Sequence, residues 1–451
     1  MNQLLIGVLL ALFAYAQSLL SDSPDSLPAC EAMDMLANST LPASKDLFYI
    51  KRNISYMNTA TLGPMPRPAL QCAVGVWEEF EADPVNMYPW GSGMELDQVR
   101  ERASIAMSCG TDELLLTPST TVGLNMVGEG LVTSGTLQKG ANILVTDQEH
   151  GGGMAVWEHW QSAGVISSVD TVPVPYGVDA TIDSVVTTFQ RALQTAESED
   201  KLYTVVMVSH VLTTTGLRLP LPELADLVHS HNPDALFVVD GAQAPGAINL
   251  NLTATGADVY TVSAHKWLLA PTGSGLLYVR AGRAQAAVTP TYTDGGFSAY
   301  SVSSGTVPLQ TIAGLGYAFD FFAAYGGLAA AEEHNMRLRE YSYNRLATLV
   351  DVLLSNPGSK DYTGLEIISP PASSGVASPI IGMNLPPEVL LNSDAVSLLK
   401  SQYGVVVKLL PDYEGGNPFN VNAIRMSHHI FNCQTDVDKL LTGLTELLTK
   451  P

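Results

Sequence analysis

The sequence has 451 residues, of which 46% are hydrophobic and 15% are charged. That is enough apolar material for a large core, or for two domains that share one interface. Its 22 basic residues are outnumbered by 44 acidic ones, so the mean field repels polyanions. Composition therefore predicts a globular protein and argues against nucleic acid or an anionic membrane surface as a partner.

The N-terminal residues have the pattern of a signal peptide. Residues 4–13 form an apolar stretch too short to span a bilayer, and Ala14-Tyr15-Ala16 matches an A-x-A cleavage site. We predict cleavage after Ala16, no membrane segment in the mature chain, and a protein secreted or held in the secretory-pathway lumen. The alternative, an apolar helix packed on the fold, stays open because no Lys or Arg precedes the stretch. Three N-x-[ST] triplets could accept glycan, at Asn38, Asn53 and Asn251.

The four cysteines are spread along the chain without a C-x-x-C pair, at Cys30, Cys72, Cys109 and Cys433. This spacing argues against a zinc site, and we expect no bound metal. One or two disulfides are compatible with an oxidising compartment, and all three pairings remain open.

The next residues, 17–55, are predicted to form an N-terminal arm. Apolar, β-rich runs then alternate with helical stretches, which predicts an α/β domain with a mostly parallel sheet buried on both faces. After Gly314 the pattern becomes largely helical, ending in a helix near residues 436–448, and residues 370–379 look like a loop. We therefore expect a large domain over 56–315 and a smaller α+β domain over 316–451. The predicted strands are 142–145, 205–209, 236–239, 259–263 and 275–279.

Three segments point to chemistry when they are considered together. Lys266 lies in Ser263-Ala264-His265-Lys266-Trp267, a loop after a strand, where α/β sheets bind ligands. Asp240 ends an apolar run, and a buried carboxylate there needs a partner such as a protonated pyridine nitrogen. The hydroxyls of residues 117–121 precede a helix that starts near Val122, which predicts a phosphate site. Considered singly, each segment has an ordinary explanation: Lys266 could be a surface lysine, Asp240 could cap a turn, and residues 119–121 could be an ordinary helix N-cap.

In chain order the residues are 117–121, then Glu149-His150, then 239–243 with Asp240, then 263–266 with Lys266. This order resembles the class V aminotransferase family. These are fold type I enzymes of the cysteine desulfurase kind, dependent on pyridoxal 5'-phosphate (PLP). The resemblance runs from about Tyr56 to about Asn432. Residues 56–63, 81–85 and 263–280 are most similar to the branch of isopenicillin N epimerases and hercynylcysteine sulfoxide lyases.

The resemblance implies a role for each matching residue. Lys266 would form the Schiff base with PLP, Asp240 would keep the ring nitrogen protonated, Gln243 would bond the phenolic oxygen, and His150 would stack on the ring. Arg425 would bind the substrate α-carboxylate, although it could instead pair with an acidic neighbour. The residues implied to hold the phosphate are Thr120, Thr121, Ser263 and His265, with Thr306 donated by a second subunit of a homodimer.

The sequence favours one reaction over several alternatives. No cysteine lies between Gly404 and Asn422, where desulfurases carry their nucleophile, so desulfurase activity is doubtful. Removal of the α-proton by Lys266 suffices for β-elimination, whereas epimerisation needs a second acid on the opposite face. We therefore predict a carbon-sulfur lyase acting on an amino acid, ahead of an epimerase or an aminotransferase. A secreted, non-catalytic binding protein on the same scaffold is the alternative from another class.

Overall fold

A computed structural model describes residues 45–87, 94–283, 307–358, 360–410 and 422–450. The predicted signal peptide, most of the predicted arm, Cys30, Asn38 and Thr306 lie outside these ranges. The first described strand, β1 (Ser55–Tyr56), pairs in parallel with a strand near the C-terminus, β11 (Val405–Val406). The start of the described chain is therefore tied to its last third.

A seven-stranded sheet forms the centre of the large domain, with strand order β2-β8-β7-β6-β5-β3-β4. The neighbours from β4 to β7 run parallel, and β8 is antiparallel to both β7 and β2. The prediction of a mostly parallel sheet is confirmed. Its strands are β2 (Leu114–Thr117), β3 (Ala141–Thr146), β4 (Ile166–Val172), β5 (Val205–Ser209), β6 (Leu236–Asp240), β7 (Val259–Ser263) and β8 (Gly275–Val279).

Helices cover both faces of this sheet, because the central strands carry apolar side chains on both faces. Val206 and Phe237 belong to the main hydrophobic cluster on one face, and Val205 and Val238 to a second cluster on the other. The helices of this part of the chain are α1 (Arg67–Ala82), α2 (Pro84–Met87), α3 (Met94–Met107), α4 (Thr120–Thr133), α5 (Gly151–Ser162), α6 (Ile182–Ser198), α7 (Leu221–His231), α8 (Leu309–Tyr325) and the first turns of α9 (Gly327–Ser355).

A separate cluster fills the smaller domain, around an antiparallel sheet of order β12-β13-β10-β9. The buried apolar side chains of α8 belong to the main cluster, whereas the smaller cluster contains Met57 and then residues from Leu338 onward. The two cores thus meet inside α9, about two dozen residues beyond the predicted boundary at 316. The elements of this domain are β9 (Glu366–Ile367), β10 (Ile380–Asn384), α10 (Asn392–Tyr403), β12 (Lys408–Leu410), β13 (Ala423–Ser427) and α11 (Gln434–Thr449).

Two further findings concern the cysteines and the helices. Cys72 is disulfide-bonded, whereas Cys109 and Cys433 are free thiols. Within the described ranges, no single helix has both the length and the apolar composition of a membrane span. The consecutive helices α8 and α9 meet that criterion only as a pair, and they are bent by 71° at their junction.

Candidate active site

The predicted site residues converge at the edge of the large sheet where β5, β6 and β7 end. Asp240 is the last residue of β6, and Ser263 is the last of β7. Thr120 opens α4, and His150 is the N-cap of α5. Because parallel strands end at the same edge, this topology brings together residues more than a hundred positions apart in sequence.

Lys266 lies just beyond β7 in a partly buried position. The pKa of its amine is lowered to about 8, mainly by burial; the charge of Asp240 acts against this shift and the charge of Arg425 adds to it. The Gly63 backbone packs against this loop, because its N–H donates to the His265 carbonyl over 2.9 Å. A Cβ at Gly63 would lie 1.9 Å from the Lys266 carbonyl oxygen, so only glycine allows this approach.

Asp240 is 5% exposed, and burial raises the pKa of its carboxyl. The Ala242 N–H, which donates to Oδ1 over 2.8 Å, and the charge of Lys266 act against this rise. The first turn of α5 lies close to the other carboxylate oxygen, since a Cβ on Gly153 would be 3.2 Å from Oδ2. The charges of Asp240, which is buried, and Lys266, which is partly buried, therefore influence each other's pKa.

The side chains predicted to hold a phosphate join the start of α4 to the end of β7. The Ser263 hydroxyl accepts from the Thr120 N–H over 3.1 Å and donates to Thr120 Oγ1 over 3.0 Å. Thr121 is exposed on the same turn. His265 faces another group, because its Nδ1 lies 3.2 Å from the Ser274 carbonyl oxygen. The structure therefore groups Thr120, Thr121 and Ser263, with His265 beside them.

His150 caps α5 with its own ring. Its Nδ1 accepts a 3.0 Å hydrogen bond from the Gly152 N–H, so the neutral ring carries its proton on Nε2. A Cβ on Gly152 would lie 3.0 Å from Thr121 Oγ1 and 3.1 Å from His150 Nδ1. The His150 ring therefore lies next to the predicted phosphate site.

Gln243 has its amide oriented by three neighbours. Its Oε1 accepts a 2.7 Å hydrogen bond from the Trp267 indole, and its Nε2 donates to the Ala60 carbonyl over 2.9 Å. A longer contact of 3.4 Å joins Nε2 to Thr213 Oγ1. These contacts fix the amide relative to the Lys266 loop, and Trp267 is a residue that the sequence did not single out for this.

Arg425 enters the site from β13 of the smaller domain and is 4% exposed. Its Nη1 donates to Thr213 Oγ1 over 2.6 Å, and its Nη2 donates to Thr61 Oγ1 over 2.9 Å. The Asn58 side-chain oxygen lies 3.4 Å from Nη2. The guanidinium is therefore oriented by neutral oxygens. Sequence reasoning missed Asn58, Thr61 and Thr213, although Asn58 and Thr61 fall within a motif that it quoted.

This chain is similar in sequence to a family of known proteins. The family model "Aminotransferase class-V" matches residues 92–368. An isopenicillin N epimerase from Amycolatopsis lactamdurans is 28% identical over 418 residues, which cover 87% of this chain and 95% of that protein. A cysteine desulfurase from Escherichia coli O127:H6 is 27% identical over 374 residues, which cover 78% of this chain and 82% of that protein.

A solved structure is similar over nearly its whole length. It is the complex of a cystine C-S lyase with its reaction product, cysteine persulfide, with a TM-score of 0.70 and 20% sequence identity. The superposition covers 88% of this chain and 98% of the lyase chain. The likeness in fold therefore extends across both hydrophobic cores.

Proposed function

Because the chain belongs to the class V aminotransferase family and is a PLP-dependent enzyme, we propose that it is a carbon-sulfur lyase. In this proposal Lys266 removes the α-proton of an amino acid that carries sulfur on its β-carbon. The observation that carries the proposal is the base that the described residues place near Asp240, which is the partly buried amine of Lys266 with a pKa of about 8. A non-catalytic role would leave this arrangement without a purpose.

Three observations fit PLP to this site. An amine whose pKa is lowered to about 8 is partly neutral at physiological pH and can attack an aldehyde. A buried carboxylate, Asp240, suits a protonated pyridine nitrogen. The hydroxyls of Thr120, Thr121 and Ser263 gather at a helix start, where an anion is stabilised. When bound, PLP supplies an electron sink for the negative charge left at the α-carbon.

Each side chain then has a task in the elimination. Arg425 binds the α-carboxylate with its planar guanidinium, which Thr213 and Thr61 orient. Lys266 takes the α-proton, and the bond between the β-carbon and sulfur breaks with both electrons going to sulfur. The sulfur group leaves as a thiol once it gains a proton. Water then converts the remaining three-carbon unit to pyruvate and ammonia.

Epimerisation is the second candidate, because the sequence is similar to an isopenicillin N epimerase along most of its length. It would need an acid on the face opposite Lys266, and His150 is the side chain predicted there. To deliver a proton from Nε2, the ring must first become doubly protonated. That requires a proton on Nδ1, which accepts the Gly152 N–H and caps α5. Proton delivery by His150 would therefore cost the helix cap, and elimination needs no such step.

A product assay separates these reactions. The purified holoenzyme is incubated in D₂O with S-substituted cysteines and with unmodified amino acids, and the products are identified by mass spectrometry. Equal amounts of thiol, pyruvate and ammonia support the lyase. A substrate with its β-carbon intact and deuterium at an inverted α-carbon would instead support the epimerase, and a keto acid that retains its β-substituent would support the aminotransferase.

We also propose that the protein is exported to an oxidising compartment and is a homodimer. The disulfide at Cys72 supports export, since disulfides are rare in reducing compartments. Asn251 is exposed just before a short 3₁₀ helix, Thr253–Thr255, and can carry a glycan without disturbing the core.

The proposal of a dimer rests on the resemblance of residues 304–308 to a contact donated by a second subunit. Sedimentation of the holoenzyme at micromolar concentration tests it, because a monomer there would contradict the dimer.

A further inference from the structure

Glu149 is a buried carboxyl that the proposed reaction does not use. It lies in the loop between β3 and α5, directly before His150, and it is 6% exposed. The pKa of its carboxyl is raised to about 7, mainly by burial; hydrogen bonds from Ser209 and Thr146 act against the rise, and the charge of Asp240 adds to it. No cation forms an ion pair with it among the described residues. Keeping such a group in a core is costly, so a specific role is expected.

Its two oxygens join the ends of two neighbouring strands. Oε1 accepts from the Thr146 hydroxyl over 2.7 Å and from the Ser209 N–H over 3.0 Å. Oε2 accepts from the Ser209 hydroxyl over 2.6 Å. Thr146 is the last residue of β3, and Ser209 is the last of β5. Glu149 therefore fixes the start of the His150 loop to the end of β5.

The end of β5 lies beside Asp240. Ser209 and Asp240 are register partners in the parallel pair β5-β6. On the other side of the loop, the first turn of α5 approaches the Asp240 carboxylate at Gly153. The distance from the His150 ring to Asp240 thus depends on how the loop is attached at Ser209. The neighbouring Gln148 points elsewhere, to Thr215 and the Val174 carbonyl.

We infer that Glu149 is a positioning residue that sets the spacing between His150 and Asp240, the two side chains expected at the face and the nitrogen of the PLP ring. In this role Glu149 acts through His150 and Asp240. The inference rests on the proposed PLP site, and it does not depend on whether the reaction is elimination or epimerisation.

Two substitutions separate the contacts from the charge. Glu149→Gln can keep all three, because its oxygen can accept from Thr146 and Ser209 while its amide donates to the Ser209 hydroxyl. Glu149→Ala removes every acceptor from the two donors of Ser209 and from Thr146. The control is Asp258→Asn, at a fully buried carboxyl that precedes Val259 at the opposite end of the same sheet and is paired with His229 and Arg283.

The experiment titrates each apoprotein with PLP and records the binding constant and the visible circular dichroism of the bound cofactor. A buried hydrogen bond is worth roughly fivefold in an equilibrium constant, and only part of each loss should reach the cofactor site, so Glu149→Ala should bind PLP at least about tenfold more weakly and show an altered dichroic band. Glu149→Gln should stay within about threefold of wild type. Asp258→Asn should lower the melting temperature of the apoprotein and leave both PLP readouts unchanged.

Three results would overturn the inference. The first is wild-type PLP affinity and dichroism in folded Glu149→Ala. The second is a loss of PLP affinity in Glu149→Gln as large as that in Glu149→Ala, and the third is a loss of the same size in Asp258→Asn. If Glu149→Ala does not fold, Ser209→Ala removes only the 2.6 Å contact and should weaken PLP binding by about threefold; unchanged binding would then refute the role. Failure of the wild-type protein to bind PLP would instead contradict the cofactor site itself.

Discussion

Arg425 Nη1 lies 2.6 Å from Thr213 Oγ1. Arg425 belongs to the antiparallel sheet of the smaller domain, whereas Thr213 follows β5 of the large domain. This hydrogen bond therefore crosses between the two hydrophobic cores at the point where the substrate carboxylate is expected. A substrate bound there would contact both domains, so its affinity should depend on their alignment.

Replacing this arginine should weaken substrate binding and spare the cofactor. In Arg425→Lys a single ammonium cannot reproduce the planar pair of donors. We expect KM for amino-acid substrates to rise roughly tenfold or more, the size of one charge-assisted hydrogen bond, with the visible PLP absorbance unchanged. Steady-state kinetics measure KM, and absorbance spectroscopy measures bound PLP. Arg345→Lys, at a half-exposed arginine paired with Asp438, is the control. An unchanged KM in Arg425→Lys would refute the assignment.

Asp240→Asn should separate cofactor binding from turnover. The amide cannot hold a proton on the ring nitrogen by charge, so the carbanion formed at the α-carbon loses stabilisation while PLP stays bound. A charge-assisted hydrogen bond contributes on the order of 1.5 to 3 kcal/mol, so the rate should fall about tenfold or more. Exchange of the α-proton in D₂O, followed by NMR, measures this. Exchange as fast as in wild type would show that Asp240 is not part of the electron sink.

The rate of PLP capture by the apoprotein should depend on pH through Lys266. Only the neutral amine attacks the aldehyde, and burial lowers the pKa of Lys266 from its usual value of 10.5 to about 8. The capture rate should therefore rise about tenfold per pH unit below pH 8 and level off above it. Stopped-flow absorbance gives this profile. A rate that keeps rising through pH 10 would indicate an amine with an ordinary pKa.

The strands of the parallel sheet could be predicted because each is an almost continuous apolar run. Two strands of this seven-stranded sheet, β2 and β4, were not predicted. β4 carries Ser167, Ser168 and Asp170, since it lies at the sheet edge and one side is partly exposed. β2 has only four residues, and it pairs with β8, more than 150 positions later in the chain.

For the site, the motifs predicted which residues meet but not their hydrogen bonds. Gln243 was expected to contact the cofactor, and its amide is shared between Trp267, Ala60 and Thr213. The Glu149 contact to Ser209 spans sixty residues. Such contacts depend on the packing of distant loops, and no local pattern in one sequence specifies them.

The secretory assignment makes a prediction about the mature chain. Expressed in a secretory host, the protein should begin near Gln17 and carry glycan, with Asn251 as one acceptor because that side chain is exposed. N-terminal sequencing and glycosidase treatment test this, and Asn251→Gln should lose one glycan. An intact Met1 on cytosolic, unglycosylated protein from the native source would contradict the assignment.

The central claim is that the chain does its chemistry with PLP held on Lys266. Borohydride reduction of the holoenzyme makes the cofactor linkage permanent, and digestion followed by mass spectrometry locates the labelled lysine. We expect the label on Lys266 of the Ser263–Trp267 segment, and no covalent adduct in Lys266→Ala. A label on any other lysine, or an adduct that persists in Lys266→Ala, would contradict it.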